Sequence, residues 1–162
     1  MGLSDLFSAA DVILDAPPTN KAGLFELLAT EAAERTGLSR PEILGALEAR
    51  EKLGSTALGK GAALPHAELR PAETPVVLFV RLRRPIDFDA RDEEPVDLVF
   101  LVLWPAAIRK GLLPVMSEIC RALREPQALR RLRRAATPED VVQLVHGAAA
   151  PDAGRGGAPE ET

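Results

Sequence analysis

Two runs of the chain leave little freedom in how it folds. "PVVLFVRLRRPI" (75–86) and "PVDLVFLVLWP" (95–105) are short, β-branched and almost continuously apolar. A strand with one face in water alternates apolar and polar residues, whereas a run without alternation is covered on both faces. The two runs therefore predict sheet strands with apolar cover against each side. "DVIL" (11–14) and "GAALPH" (61–66) are weaker strand candidates. Two helical segments precede the strong runs and three follow. This order describes an α/β or α+β domain, a mixed β-sheet flanked by helices on both faces, and periodicity does not choose between the two labels. Aromatic residues number five Phe, one Trp and no Tyr, so the core is mostly Leu, Val, Ile and Ala.

The helix starts are well signed. "TNKAGLFELLATEAAERTG" opens on Thr19 or Asn20 as a cap, puts Leu24, Leu27, Leu28 and Ala32 on one stripe, and stops at Gly37. "SRPEILGALEAREKLG" reads as a capping box, with Ser39 at the cap, Glu42 three residues on, and Pro41 in the first turn. "TPEDVVQLVHG" repeats the device with Thr137, Pro138 and Asp140. Two more helices are expected at about Leu112–Leu123 and Pro126–Arg134. No repeat or linker divides residues 1–146, which are expected to form one domain. From Gly147 the sequence "GAAAPDAGRGGAPEET" is too poor in apolar residues to offset ordering entropy and is expected to be a disordered tail.

Composition narrows the function classes. A net charge of −4 argues against a general affinity for nucleic acid or anionic membranes. A single cysteine, Cys120, allows no intramolecular disulfide and suits a reducing compartment. The N-terminal "MGLSDLFSAADVILDAPP" has an early acid and no basic segment before a long apolar run, so it is not read as a signal peptide. The longest apolar stretch contains Asp97 and Pro105, which argues against a membrane span. A cytoplasmic location is the expectation. The arginines of "PQALRRLRRAA" read as the solvated face of a helix whose apolar stripe is Ala128, Leu129, Leu132, Ala135 and Ala136. The acids of "DFDARDEEPVD" lack the spacing of a calcium loop. Two widely spaced histidines and one cysteine match no zinc pattern. No metal or cofactor is called for.

The chemistry concentrates in "ALGKGAALPHAEL" (57–69). Gly59 and Gly61 permit positive φ or close approach of another molecule. Pro65 fixes its own φ and keeps Leu64 extended. His66 then stands at the rigid end of a strand-like segment, followed by the polar "AELRPAETP". A neutral imidazole near pH 7 is a good nucleophile. Isolated, such a histidine is more often fixed by local hydrogen bonds than reactive. A Cys120–His66 nucleophilic pair stays open, though Cys120 falls in an apolar helical pattern that suits the core. On the second helix Ile43, Leu47 and Arg50 share one face, which directs the guanidinium toward "GSTALGKG", where backbone donors and the Ser55 and Thr56 hydroxyls can hold an anion. Arginine matches phosphate geometry well. Taken alone, Arg50 is better read as a complement to the helix C-terminal dipole.

Together, "REKLGSTALGKGAALPHAEL" and "RPIDFDARDEEPVDLVFLVLWPA" resemble the enzyme IIA domain of the phosphoenolpyruvate:sugar phosphotransferase system (PTS). The resemblance is to the EIIA type-2, fructose/mannitol group, and most of all to its nitrogen-related (PtsN) branch. It covers about Leu3 to His146 and implies a mannitol-type IIA fold acting as a regulatory phosphocarrier. His66 would accept a phosphoryl group from a phosphohistidine on an HPr-like protein, and Arg50 would be the counter-charge. Ser55 and Thr56 would line the phosphate-binding loop. Phosphorylation state would control binding of regulated partners such as kinases or transporters. The resemblance also implies a second active-site histidine at the start of the helix after "LVLWPA", where Pro114 stands here. Arg109 and Lys110 are candidates for supplying charge in its place. Pro114 keeps a rival open, a protein-binding regulator of the same fold with impaired phosphotransfer.

Overall fold

The protein is described by a computed structural model over residues 2–149. Along the chain run α1 (Leu3–Leu6), β1 (Val12–Ala16), α2 (Lys21–Thr36), α3 (Arg40–Lys52), β2 (Ala57–Gly59), β3 (Ala62–Ala63) and β4 (His66–Leu69). There follow β5 (Val76–Ile86), β6 (Val96–Pro105), a 3-10 segment (Ala106–Gly111), α4 (Leu112–Ala122), α5 (Pro126–Arg134) and α6 (Pro138–Ala149). The sheet has six strands in the order β1-β5-β6-β3-β2, with β4 also paired to β6. β5 and β6 are antiparallel, while β1 on β5 and both β3 and β4 on β6 are parallel. The mixed sheet and its two helical layers agree with the expectation from the two apolar runs.

Those runs are buried because their side chains feed two separate cores. Leu78, Val80, Val99, Leu101 and Leu103 pack under α2 and α3 with Leu24, Leu28, Ile43 and Leu47. Val77, Phe79, Leu98, Phe100, Val102 and Trp104 pack under α4, α5 and α6 with Val115, Ile119, Leu129 and Val141. The alternation is that of a pleated strand, with apolar residues on both sides. Phe79 and Phe100 pair across β5 and β6 with ring centroids 5.1 Å apart, an edge-on contact favoured by their quadrupoles.

The caps form where the side chains place them. Asn20 Oδ1 accepts from Gly23 N at 2.7 Å, and Gly37 ends α2 at φ 75°. Ser39 Oγ accepts from Glu42 N at 3.4 Å, the forward bond of the expected box, but the Glu42 carboxylate makes no return bond to Ser39 N, so the box is only half formed. Thr137 Oγ1 accepts from Asp140 N at 3.1 Å. Within α2 Leu24, Leu28 and Ala32 are buried, whereas Leu27 is only partly covered and Phe25 and Ala29 complete the stripe. In α5 Leu129 and Leu132 reach the core, as does Ala135 at its C-cap, while Ala136 beyond it is exposed. The helix α6 continues to Ala149, past the domain boundary expected at 146, and the rest of the expected tail lies outside the described residues. The four-residue α1 and the three-residue β2 carry too little period to be read from sequence.

Candidate functional site

β3 and β4 are one strand interrupted. Ala62 and Ala63 pair with Leu98 and Val99, and His66 and Ala67 pair with Val102 and Leu103 in unbroken register. Between them Pro65 has no N–H to give, but its carbonyl still accepts from Val102 N at 3.1 Å. His66 therefore opens a strand segment instead of ending one. The residues after it, expected to be a polar continuation, form β4, with Ala67 and Leu69 buried and Glu68 exposed. That alternation is half a strand's worth of period, too short to stand out. It also sets His66 and Glu68 on the same face.

The glycines shape the approach to this strand. Gly59, Lys60 and Gly61 all have positive φ (95°, 57° and 84°), forming the turn between β2 and β3. A Cβ on Gly61 would collide with the Arg133 guanidinium and lie 3.2 Å from Pro95 O. Lys60 N donates to Asp92 Oδ2 at 2.9 Å, and Lys60 O accepts from Arg133 Nη2 at 2.7 Å. The backbone N–H bonds from Lys60 and Glu94 hold the Asp92 carboxyl below the usual carboxylate range. Arg133 also pairs with Asp97 at 3.0 Å, so one arginine of the expected solvated face points inward. Of the two roles open to these glycines, positive φ in a turn is present here.

His66 is half-buried, and both ring nitrogens have partners. Nδ1 lies 2.8 Å from Leu64 O, and Arg50 Nε donates to Nε2 at 3.3 Å. A carbonyl only accepts, so Nδ1 carries the ring proton and Nε2 keeps its lone pair. Arg50 is held in turn, its Nη1 donating to Gly54 O at 2.9 Å. Ile43 and Leu47 are buried beneath it, as the shared helix face predicts. The site brings a deprotonated nitrogen and a guanidinium together at the edge of the sheet.

The Ser55 and Thr56 hydroxyls are engaged elsewhere. Thr56 Oγ1 donates to Glu51 Oε1 at 2.6 Å and Thr56 N to Glu51 Oε2 at 3.1 Å. Ser55 Oγ donates to Phe88 O at 3.4 Å and accepts from Ala57 N at 3.2 Å. Lys21 Nζ completes the cluster, 2.8 Å from Glu51 Oε2 and 3.1 Å from Phe88 O. Glu51 and Lys21 are functional-site neighbours that sequence reasoning missed. Glu51 follows Arg50 directly, which was the available signal, but its partner lies on another helix. Their cluster ties down the loop that leads from Arg50 toward His66.

The opposite flank is built from Ala106–Gly111. Trp104 Nε1 donates to Ile108 O at 2.8 Å and anchors the segment, which breaks helical geometry at Ile108 (φ −127°, ψ 43°). Gly111 sits against the same indole, where a Cβ would come 2.7 Å from Trp104 Cζ2. Arg109 Nη2 donates to Glu68 Oε1 at 2.8 Å, and this carboxylate raises the guanidinium pKa further. Pro114 occupies the first turn of α4, exposed beside Leu113, which is 74% exposed. Cys120 lies on α4 against the core under that face, and burial pushes its thiol pKa up, opposite to the shift an activated nucleophile needs.

A family model for the phosphoenolpyruvate-dependent sugar phosphotransferase system, EIIA 2, matches residues 5–147. The chain belongs to the EIIA 2 family. A nitrogen regulatory protein of Bradyrhizobium diazoefficiens is 42% identical to this EIIA 2 chain over 134 residues, spanning 82% of it and 87% of the relative. A nitrogen regulatory protein of Escherichia coli is 37% identical, covering 78% of each. The solved IIA-Ntr protein of Neisseria meningitidis superposes with a TM-score of 0.85 at 30% identity, over 88% of this chain and 98% of that one. The mannitol IIA of Escherichia coli shares the fold, with a TM-score of 0.72 at 20% identity over 86% and 98% of the two chains. Within the EIIA 2 family the chain sits with the nitrogen regulatory proteins. Among the described residues no helix is long and apolar enough to cross a membrane.

Proposed function

We propose that this EIIA 2 chain is a cytoplasmic regulatory phosphocarrier whose His66 takes a phosphoryl group from a phosphohistidine on an HPr-like protein. The observation that carries this reading is the pair of bonds on the ring, Nδ1 on Leu64 O and Nε2 facing Arg50. The Nε2 lone pair attacks phosphorus and forms the new P–N bond. The donor's P–N bond breaks, and its electron pair leaves with the donor imidazole. No proton has to depart from His66, because Nε2 carries none. The ring becomes cationic, and its Nδ1–H bond to Leu64 O becomes charge-assisted. The Arg50 bond to Nε2 is long at 3.3 Å, so the guanidinium exchanges it readily for phosphoryl oxygens while Gly54 O keeps hold of Nη1. Phosphoryl transfer asks mainly for positioning and charge stabilisation, and this geometry supplies both.

The phosphoryl group puts about two negative charges on its oxygens against one positive charge on the ring, at a surface that can dock other proteins, so phosphorylation state selects partners by electrostatics. Leu53, 85% exposed, and Leu113, 74% exposed, give the surroundings apolar contact area of the kind a protein partner uses. The test is incubation with phosphoenolpyruvate, an enzyme I and an HPr-like carrier. Acid-labile, base-stable phosphate is expected on the wild-type chain and absent from His66→Ala. The rival reading, a binding regulator without phosphotransfer, rests on Pro114, which offers no ring nitrogen. Lack of label from any donor would decide for it.

A further inference from the structure

We propose that Arg109 is a second cation of the phosphoryl site, occupied by Glu68 while His66 is bare and drawn to the phosphoryl group once His66 carries it. This rests on His66 being the phosphoryl acceptor. His66 and Glu68 lie two residues apart on one face of β4, about 6.6 Å along the strand at its rise per residue. Arg109 reaches that face already and binds Glu68 through Nη2 alone. Its Nε and Nη1 have no hydrogen-bond partner among the described residues. The guanidinium side chain is 73% exposed and long enough to swing by the distance between neighbouring side chains. Its carrier segment is already out of helical geometry at Ile108 and pinned mainly through Trp104.

Charge decides which acceptor wins. A phosphoryl group brings close to two negative charges and three acceptor oxygens against the single charge of Glu68. The same dianion repels the Glu68 carboxylate, so the ion pair weakens as the alternative appears. Arg109 then moves toward His66, and the segment carrying Ile108, 47% exposed, moves with it. The phosphorylated and bare forms thus differ in the shape of this flank as well as in charge. Arg109 acts here as a positioning residue, with Arg50 on the other side of the ring.

The test uses the full chain phosphorylated by phosphoramidate, in which Nε2 attacks phosphorus, a P–N bond forms and ammonia leaves. No carrier protein is needed. The phosphoryl titration midpoint is followed by 31P NMR in wild type, Arg109→Gln, Glu68→Gln and the double variant, with His66→Ala identifying the signal. The charges that the contacts place around the group are those of Arg50 on α3, Glu68 on β4 and Arg109 on the segment after β6, with Lys110 next to Arg109 in that segment. Loss of Arg109 should raise the midpoint by roughly half to one pH unit, because a cation favours the dianion. Glu68→Gln should lower it by a comparable amount in the wild-type background, and by less than half as much where Arg109 is absent. Additive shifts in the double variant would mean that Glu68 acts through space only, and would overturn the proposal. So would an unchanged midpoint in Arg109→Gln, or a failure of phosphoramidate to label His66. Labelling by phosphoramidate but not by the HPr-like carrier would overturn the donor assignment alone.

Discussion

On the α3 side of His66, Arg50 and Glu51 are both held in place. Arg50 is held by Gly54 O, and Glu51, its side chain 9% exposed, is satisfied by Lys21 and both donors of Thr56. On the opposite side one exposed ion pair, Arg109 with Glu68, sits on a segment kinked at Ile108. Both flanks deliver a guanidinium to the same strand, by different means. A group that must meet a developing charge at a fixed distance gains from rigid support. A group that must change partner gains from exposure, where weak ion pairs exchange at little cost. The comparison teaches that the two arginines, equal in charge, are unequal in how firmly each is aimed.

The largest effect is expected on the rigid flank. Arg50→Ala should slow phosphoryl transfer to His66 by about 10²–10³-fold, the loss typical of one preorganised donor aimed at developing charge. Arg50→Lys should recover only part, since an ammonium lacks the planar fork that here reaches both Nε2 and Gly54 O. Rapid-quench labelling from a phosphorylated carrier reads both. Loss of fewer than ten-fold in Arg50→Ala would break the comparison, by showing that the exposed flank already compensates.

Next comes the support beneath Arg50. Glu51→Ala leaves the Thr56 N–H and hydroxyl without their acceptor and Lys21 without its main counter-charge. The expected cost is about 2–3 kcal/mol in urea unfolding, because satisfied buried groups are expensive to orphan. Glu51→Gln, which keeps an acceptor for Thr56, should lose less.

How much of this was readable beforehand differs between the two flanks. The β5 and β6 strands, the caps at Asn20, Ser39 and Thr137, and the Arg50–His66 pairing all carry local signals: an apolar run, a capping residue, or a helix face aimed at a glycine-bounded histidine. Glu51 was overlooked because its partners Lys21 and Thr56 converge only after α2 and α3 have packed. The strand's continuation past His66 was not readable because four residues hold barely two alternations, and Pro65 hid the continuity of β4 with β3. Ser55 and Thr56 were readable as hydroxyls at the right place, but not in direction. Their neighbours fixed that, turning them toward Phe88 and Glu51. Arg109 could be named as a charge near the site, whereas its pairing with Glu68 crosses from one sheet strand to the turn after another.

On the exposed flank the packing of the segment should matter more than its charges. Gly111→Ala is expected to cost about 1–3 kcal/mol, the usual price of forcing a methyl into a filled site. The added Cβ meets the Trp104 ring at 2.7 Å, and that ring is fully buried and tied to Ile108 O. The glycine has an ordinary helical φ of −86°, so the effect would be steric and not a matter of backbone strain. A matching loss of the Trp104–Ile108 hydrogen bond, seen as a shift of the indole N–H resonance, would locate the damage at the Trp104 anchor.

The smallest effect is expected at the ion pair itself. Glu68→Gln should leave the urea midpoint of the unphosphorylated chain unchanged within measurement scatter, at low and at high salt alike. Arg109 is 73% exposed, so water screens its attraction to Glu68 and recovers its hydration when the pair parts. Stability and exchange pull in opposite directions here: a pair strong enough to hold the fold would be too strong to release its arginine to a phosphoryl group. A midpoint loss approaching that of Glu51→Ala would therefore show that the exposed flank is as firmly built as the other, and the distinction between the two arginines would collapse.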